Sequence, residues 1–169
     1  IPSNAGELTK DRKLDVYTDD EIKQLKKALT GYIHENLILV ALGTGMRQGE
    51  LLGLQWKHID FDNLTITVSQ TLKTYSDING TRNLVTALQT PKSKHSIRTI
   101  PIPKNLVIVL KNQQKIIIDR AKTLGRSFND DLFVFSNNQL SYIDARALLR
   151  SYKRMLNRNN IRERDFHSL

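Results

Sequence analysis

ALGTGMRQGELLGLQWKHIDFDNLTI, residues 41–66, is the stretch on which the reading of this chain turns. Gly43 and Gly45 punctuate an apolar helical pattern, and a second helical stretch, RQGELLGLQW, follows at once. Arg47 therefore stands at the mouth of a helix, just after a glycine-bounded turn, with Glu50 one helical turn further on. An Arg at such a place can leave the helix start and reach a ligand. Its planar guanidinium is charged at any working pH and can hold two oxygens of one phosphate, which Lys cannot do. Taken alone, the same pair reads as a surface Arg bonded to Glu50 at i, i+3. The rest of the chain has to decide between the two.

Upstream, residues 1–14 mix Pro, Asn, Gly and charges without period, which reads as a linker arriving from a preceding region of a longer protein. Thr18-Asp-Asp-Glu21 is a capping box, so a helix is expected through Ile22, Leu25 and Leu29. Ile33, Leu37, Val40, Ala41 and Thr44 recur at helical spacing. Downstream, Leu64–Ser69 and Arg98–Ile102 alternate and are rich in β-branched residues, and Leu84–Gln89 is a weaker strand of the same kind. Lys73–Arg82 carries turn formers and reads as a surface loop, and Pro91–Ser96 as a compact basic tip.

Pro103 suits the first turn of a long helix whose apolar positions Leu106, Val109, Leu110, Ile116, Ile117, Ala121 and Leu124 run until Gly125. Leu132–Phe135 reads as a buried strand or extended segment. Ser141 with Asp144 opens a further helix, with Tyr142, Ala145, Leu148, Leu149, Tyr152, Met155 and Leu156 on its apolar face. At about 100° per residue, Arg146, Arg150, Arg154 and Arg158 then gather on the opposite side as a guanidinium stripe. The sum is an α+β domain, mainly helical, with a small antiparallel sheet.

Composition narrows the function. A chain of 169 residues is long enough for one domain with a hydrophobic core. Its 26 Lys and Arg against 17 Asp and Glu give a formal net charge of +9, a field that attracts polyanions, nucleic acid first among them, although charge alone fits a generically basic soluble protein equally well. From residue 141 onward there are seven Lys or Arg against three Asp or Glu, so part of the excess is concentrated there. No apolar run approaches the ~20 residues of a membrane span, and the first residues lack the pattern of a signal peptide, so a cytoplasmic protein is expected. Zero Cys rules out a disulfide scaffold or thiolate metal site. His34, His58, His95 and His167 show no paired ligand spacing, so the expected chemistry uses no metal and no cofactor.

Two more stretches complete a pattern. TGMRQGELLGLQWKHIDFDNLTI resembles the first Arg motif of tyrosine recombinases of the phage-integrase kind: a Gly-rich turn, Arg, Glu three later, a Leu-rich helix, Trp, and an acidic residue before a strand. TPKSKHSIRTIPIP, residues 90–103, resembles that family's hairpin, whose lysine is catalytic, and FHSL, residues 166–169, resembles the start of its H-x-L-R box. The three stand in the family's order across nearly the whole chain.

The resemblance implies a catalytic domain over residues 15–169, preceded by a linker from an upstream DNA-binding region and cut off before the second Arg and the Tyr nucleophile. It implies site-specific DNA recombination for a phage or mobile element, by metal-independent phosphoryl transfer through a 3′-phosphotyrosyl intermediate. Double-stranded DNA is the implied partner, with other recombinase protomers assembled on it as a tetramer. Arg47 would bind the scissile phosphate, with Glu50 in support. Lys92 would protonate the leaving 5′ oxygen, with Lys94 the alternative because one sequence does not set the hairpin register. His167 would bond the phosphate and take the nucleophile's proton. Lys94, His95, Arg146, Arg150, Arg154 and Arg158 would contact DNA. Tyr17, Tyr32, Tyr75, Tyr142 and Tyr152 all precede the box, so none fits the nucleophile, and a chain of this extent is expected to bind DNA without cleaving it. A non-catalytic DNA-binding module and a type IB topoisomerase-like enzyme are the competing readings. The first does not require an Arg combined with a lysine hairpin.

Overall fold

In a computed structural model that describes residues 16–76, 84–90, 97–164 and 166, the chain is an α+β domain dominated by helices. The capping box forms as the sequence predicts: Thr18 Oγ1 accepts from the Glu21 N–H while Glu21 Oε2 accepts from the Thr18 N–H, opening α1 (Asp19–Leu29). Leu25 and Leu29 are its buried stripe. The next helix, α2, runs Glu35–Thr44, so Ile33 falls in the preceding turn and is 80% exposed rather than in the helix. Tyr32 turns inward instead, its hydroxyl 2.9 Å from Ser151 Oγ.

Gly43 does not interrupt α2. It lies inside the helix where Leu106 packs so closely that a Cβ would stand 2.4 Å from Leu106 Cδ1. Gly45, at φ 63, is the residue that ends α2, a left-handed cap that costs glycine little. The helix expected over RQGELLGLQW shrinks to α3 (Gln48–Leu52), followed by a 3-10 turn at Trp56–His58. Between them the chain is extended, because Leu54–Trp56 is taken up in pairing with the 132–135 segment: Val134 N–H donates to Leu54 O and Trp56 N–H to Leu132 O. That segment is not a regular strand: Phe133 alone bridges to Gln55, with bends on either side, while Val134 and Phe135 are buried as expected. Leu51, Leu52, Leu54 and Trp56 all lie in the core.

The strands divide into two antiparallel sheets rather than one. Strands β1 (Ile59–Asp60), β2 (Thr65–Val68) and β5 (Arg98–Pro101) form one, in the order β1-β2-β5. Strands β3 (Thr71–Ser76) and β4 (Leu84–Gln89) form the other. The weaker strand candidate is thus real. Lys73–Ser76, expected as the start of a loop, belongs to β3 and pairs with β4, Thr74 facing Thr86 with 2.8 Å between their hydroxyls. The division falls at Gln70, whose side-chain amide donates to Gly53 O and Gln55 Oε1 and turns the chain out of the first sheet onto α3.

Helix α4 (Lys104–Thr123) follows Pro103 and ends just before Gly125, burying Leu106, Leu110, Ile117 and Ala121. Its buried Gln113 accepts from Asn36 and donates to Val134 O, tying α2, α4 and the 132–135 segment together. Helix α5 (Ala145–Arg158) is capped by Asp144, which accepts from the Ala147 N–H. Ser141 and Tyr142 precede the helix, and Tyr142 is exposed. Leu148, Tyr152, Met155 and Leu156 form the buried face. Among the described residues no helix is long and apolar enough to cross a membrane.

Candidate DNA-phosphate site

Arg47 occupies the N-cap position of α3, in extended backbone, directly after the left-handed Gly45 and the buried Met46. The turn sends its side chain outward, 73% exposed, while Nη1 stays 3.6 Å from Glu50 Oε1. Glu50 itself is buried, at 8% exposure. Its Oε2 accepts from the Arg47 backbone N–H at 2.8 Å.

The stronger partner of Glu50 is a residue that the sequence alone did not single out. Arg98, the first residue of β5, makes a two-pronged bond: Nη1 to Oε1 and Nη2 to Oε2, both 2.8 Å. A partial signal was present in the sequence. Arg98 shares a face of its strand with Ile100 and Ile102, so its stem is drawn toward the core, where a carboxylate is a favourable partner for its head. Burial works to raise the Glu50 pKa, but the Arg98 hydrogen bonds, the Arg47 N–H and the two positive charges outweigh it and hold the carboxyl below its ordinary range. Arg98 is correspondingly raised, first by its bonds to Glu50.

The other expected residues fall as follows. Lys92, Lys94, His95 and His167 lie outside the described residues, as do residues 1–14 of the expected linker and most of the Lys73–Arg82 loop. Arg146, Arg150, Arg154 and Arg158 are all exposed on α5, opposite Leu148, Tyr152 and Leu156. A step of four residues advances the helix by about 40°, so the stripe fans round as it descends. Arg146 and Arg150 line a cleft of 870 Å³ with Lys73, Thr74, Tyr75 and Gln89 of the second sheet. Arg154 sits on the Tyr32 side, where its charge partly opposes the burial that raises that phenol's pKa.

A separate cleft of 710 Å³, lined by Tyr32, His34, Ile116 and Tyr142 among others, contains none of the expected site residues. Tyr17 and Tyr152 are buried, with hydroxyls 3.5 Å apart, and burial is the main cause that pushes both phenols up. A raised pKa on a buried hydroxyl is the opposite of what a nucleophile needs. Among the described residues no three His, Asp or Glu gather as a metal site.

Comparison with known proteins identifies the family. The model of the phage integrase family matches residues 15–169. A tyrosine recombinase XerC-like protein of Caldanaerobacter subterraneus subsp. tengcongensis is 40% identical over 162 residues, 93% of this chain and 41% of its own length. The ICEBs1 integrase of Bacillus subtilis is 31% identical over 126 residues, 73% of this chain and 32% of its own. The chain thus spans less than half the length of either relative. Among solved structures, the Tn1549 transposon integrase in complex with circular intermediate DNA superposes with a TM-score of 0.72 at 20% identity, over 95% of this chain and 52% of that one. XerA recombinase superposes at 0.60 with 18% identity, over 89% of this chain and 45% of that one. At such identities these two establish a common fold.

Proposed function

Because the chain belongs to the phage integrase family, we propose that it is the DNA-cleaving domain of a site-specific tyrosine recombinase, serving a phage or mobile element. The observation that carries the reading is Arg47: a guanidinium 73% exposed, with its root bonded to a carboxylate that a second Arg already holds. Attack of a tyrosine hydroxyl on a phosphodiester forms an O–P bond, breaks the bond to the 5′ oxygen and builds negative charge on the nonbridging oxygens. Fixed cationic donors stabilise that charge best when they need not reorganise. Arg47 supplies one, and a further Arg and the nucleophilic Tyr would follow His167 in the full-length protein.

His167 bonds the phosphate and takes the tyrosine's proton. Lys92, or Lys94 in the alternative register, gives a proton to the departing 5′ oxygen. Duplex DNA is the substrate, bound largely through its phosphates by Lys94, His95 and the α5 arginines. The active form is a tetramer of protomers on paired DNA sites. The complex of the Tn1549 integrase with circular intermediate DNA supports DNA as the substrate.

The test is a suicide duplex that traps the covalent 3′ adduct, offered to the full-length protein. The expected result is an adduct, with Arg47→Ala losing cleavage by about 100-fold or more, the usual loss on removing one preorganised donor to a developing oxyanion. Replacing the bridging 5′ oxygen by sulfur should rescue whichever of Lys92→Ala and Lys94→Ala removes the general acid, since a thiolate leaves without a proton. Absence of any adduct, or undiminished cleavage by Arg47→Ala, would overturn the reading.

A further inference from the structure

On the recombinase reading, one lysine of residues 91–96 and Arg47 act on the same phosphate, although they are distant in sequence. The described residues on either side show what holds the two flanking strands. On the incoming side, β4 ends at Gln89, paired with Thr71 of β3. Strand β3 lies so close on α3 that a Cβ at Gly49 would stand 2.5 Å from Thr71 Oγ1 and 2.9 Å from Leu72 O. On the outgoing side, β5 begins at Arg98, paired with Val68 and bonded through both its terminal nitrogens to Glu50 of the same helix. Both flanking strands are therefore tied to α3, the helix that opens with Arg47: β4 through its partner β3, and β5 through Arg98.

We infer that Arg98 is a positioning residue for the reaction: its paired bonds to Glu50 fix the outgoing end of the lysine segment and the root of Arg47 to one short helix. The inference rests on the recombinase reading above, and it adds a residue that touches neither phosphate nor leaving group. The geometry demands Arg. Two parallel N–H bonds to one carboxylate fix a direction as well as a distance, whereas a Lys would give one rotatable donor. Arg98→Lys keeps the charge and the apolar stem and removes the direction alone.

The test uses the full-length protein in single-turnover cleavage, with the 5′ bridging atom as oxygen or as sulfur. Arg98→Lys is expected to lose about tenfold or more on the oxygen substrate, since small misplacement of a catalytic group costs rate steeply. It should recover at least half of that loss, on a logarithmic scale, with sulfur, because the lysine it misplaces is then no longer needed. DNA affinity should stay within about threefold, and Arg98→Gln should repeat the pattern with a deeper loss. Arg47→Ala is the comparison, defective on both substrates. An Arg98→Lys rate equal to the parent's on oxygen, or a loss of the same size on both substrates, overturns the inference while leaving the recombinase reading intact. A parent protein that forms no adduct with either substrate takes both down.

Discussion

Replacing Glu50 by Gln removes one negative charge from between two arginines and sets an amide N–H₂ against a donor. At this carboxylate Arg98 makes two bonds of 2.8 Å and the Arg47 N–H one more of the same length. Charged hydrogen bonds contribute about 1.5–3 kcal/mol each, and breaking a buried ion pair by removing one partner costs about 3–5 kcal/mol. Two facts pull the expected cost down. The Arg98 side chain is 40% exposed and that of Arg47 73%, so water can solvate both once they are released. The amide also keeps one acceptor. A loss of about 2–3 kcal/mol is therefore expected, which in a domain of this size lowers Tm by roughly 4–12 °C.

Acid gives a second, independent handle on the same carboxylate. Its folded-state pKa lies below the ordinary 4.5, so its contribution is fully present above that value and fades as pH falls through the depressed folded one. Thermal unfolding of parent and Glu50→Gln, followed by circular dichroism from about pH 7 downward, should show a constant gap until about pH 4.5 and a narrowing gap below it. A Tm shift under about 2 °C near neutrality, or a gap that stays constant to about pH 3, would refute the bonding scheme drawn for Glu50.

Gly49→Ala should destabilise the domain by about 1–3 kcal/mol and raise the proteolytic sensitivity of the β3–β4 hairpin, since the new methyl would meet backbone of β3 that cannot step aside; unchanged denaturant unfolding would refute that close approach. Charge reversal at Arg146 and Arg150 should reduce the slope of log affinity against log salt for duplex DNA by about 0.9 for each phosphate that the protein no longer neutralises, measured by fluorescence anisotropy. An unchanged slope would remove the two arginines from the DNA interface.

Much of the fold was legible because its signals are local. The Thr18 box, Pro103 before α4 and Asp144 before α5 are decided by groups within one helical turn, and the structure forms all three starts. The expectations that failed depended on partners outside the stretch itself. TLKTYS has no clear apolar alternation, and it becomes β3 because Leu84–Gln89 lies across from it and α3 offers glycine on which to rest. RQGELLGLQW keeps helical spacing throughout, yet its last residues leave the helix because the 132–135 segment binds their backbone. One period cannot announce which distant strand will compete for its hydrogen bonds.

The candidate site divides along the same line. An Arg followed three residues later by a Glu is indistinguishable, in sequence, from an ordinary surface pair that cancels its own charge. What changes its meaning here is Arg98, forty-eight positions beyond Glu50, which takes both oxygens of the carboxylate at 2.8 Å and leaves Arg47 at 3.6 Å with only the weaker approach. Two cations then share one anion, and the surplus positive charge falls on the more exposed of the two. Had Glu50 been free of Arg98, a phosphate would have to compete with it for Arg47. With Glu50 already saturated, that competition is weak, and the same carboxylate serves to hold the helix start in place. The residue is thereby anchored at its backbone and open at its guanidinium, as the proposed role at a phosphate requires.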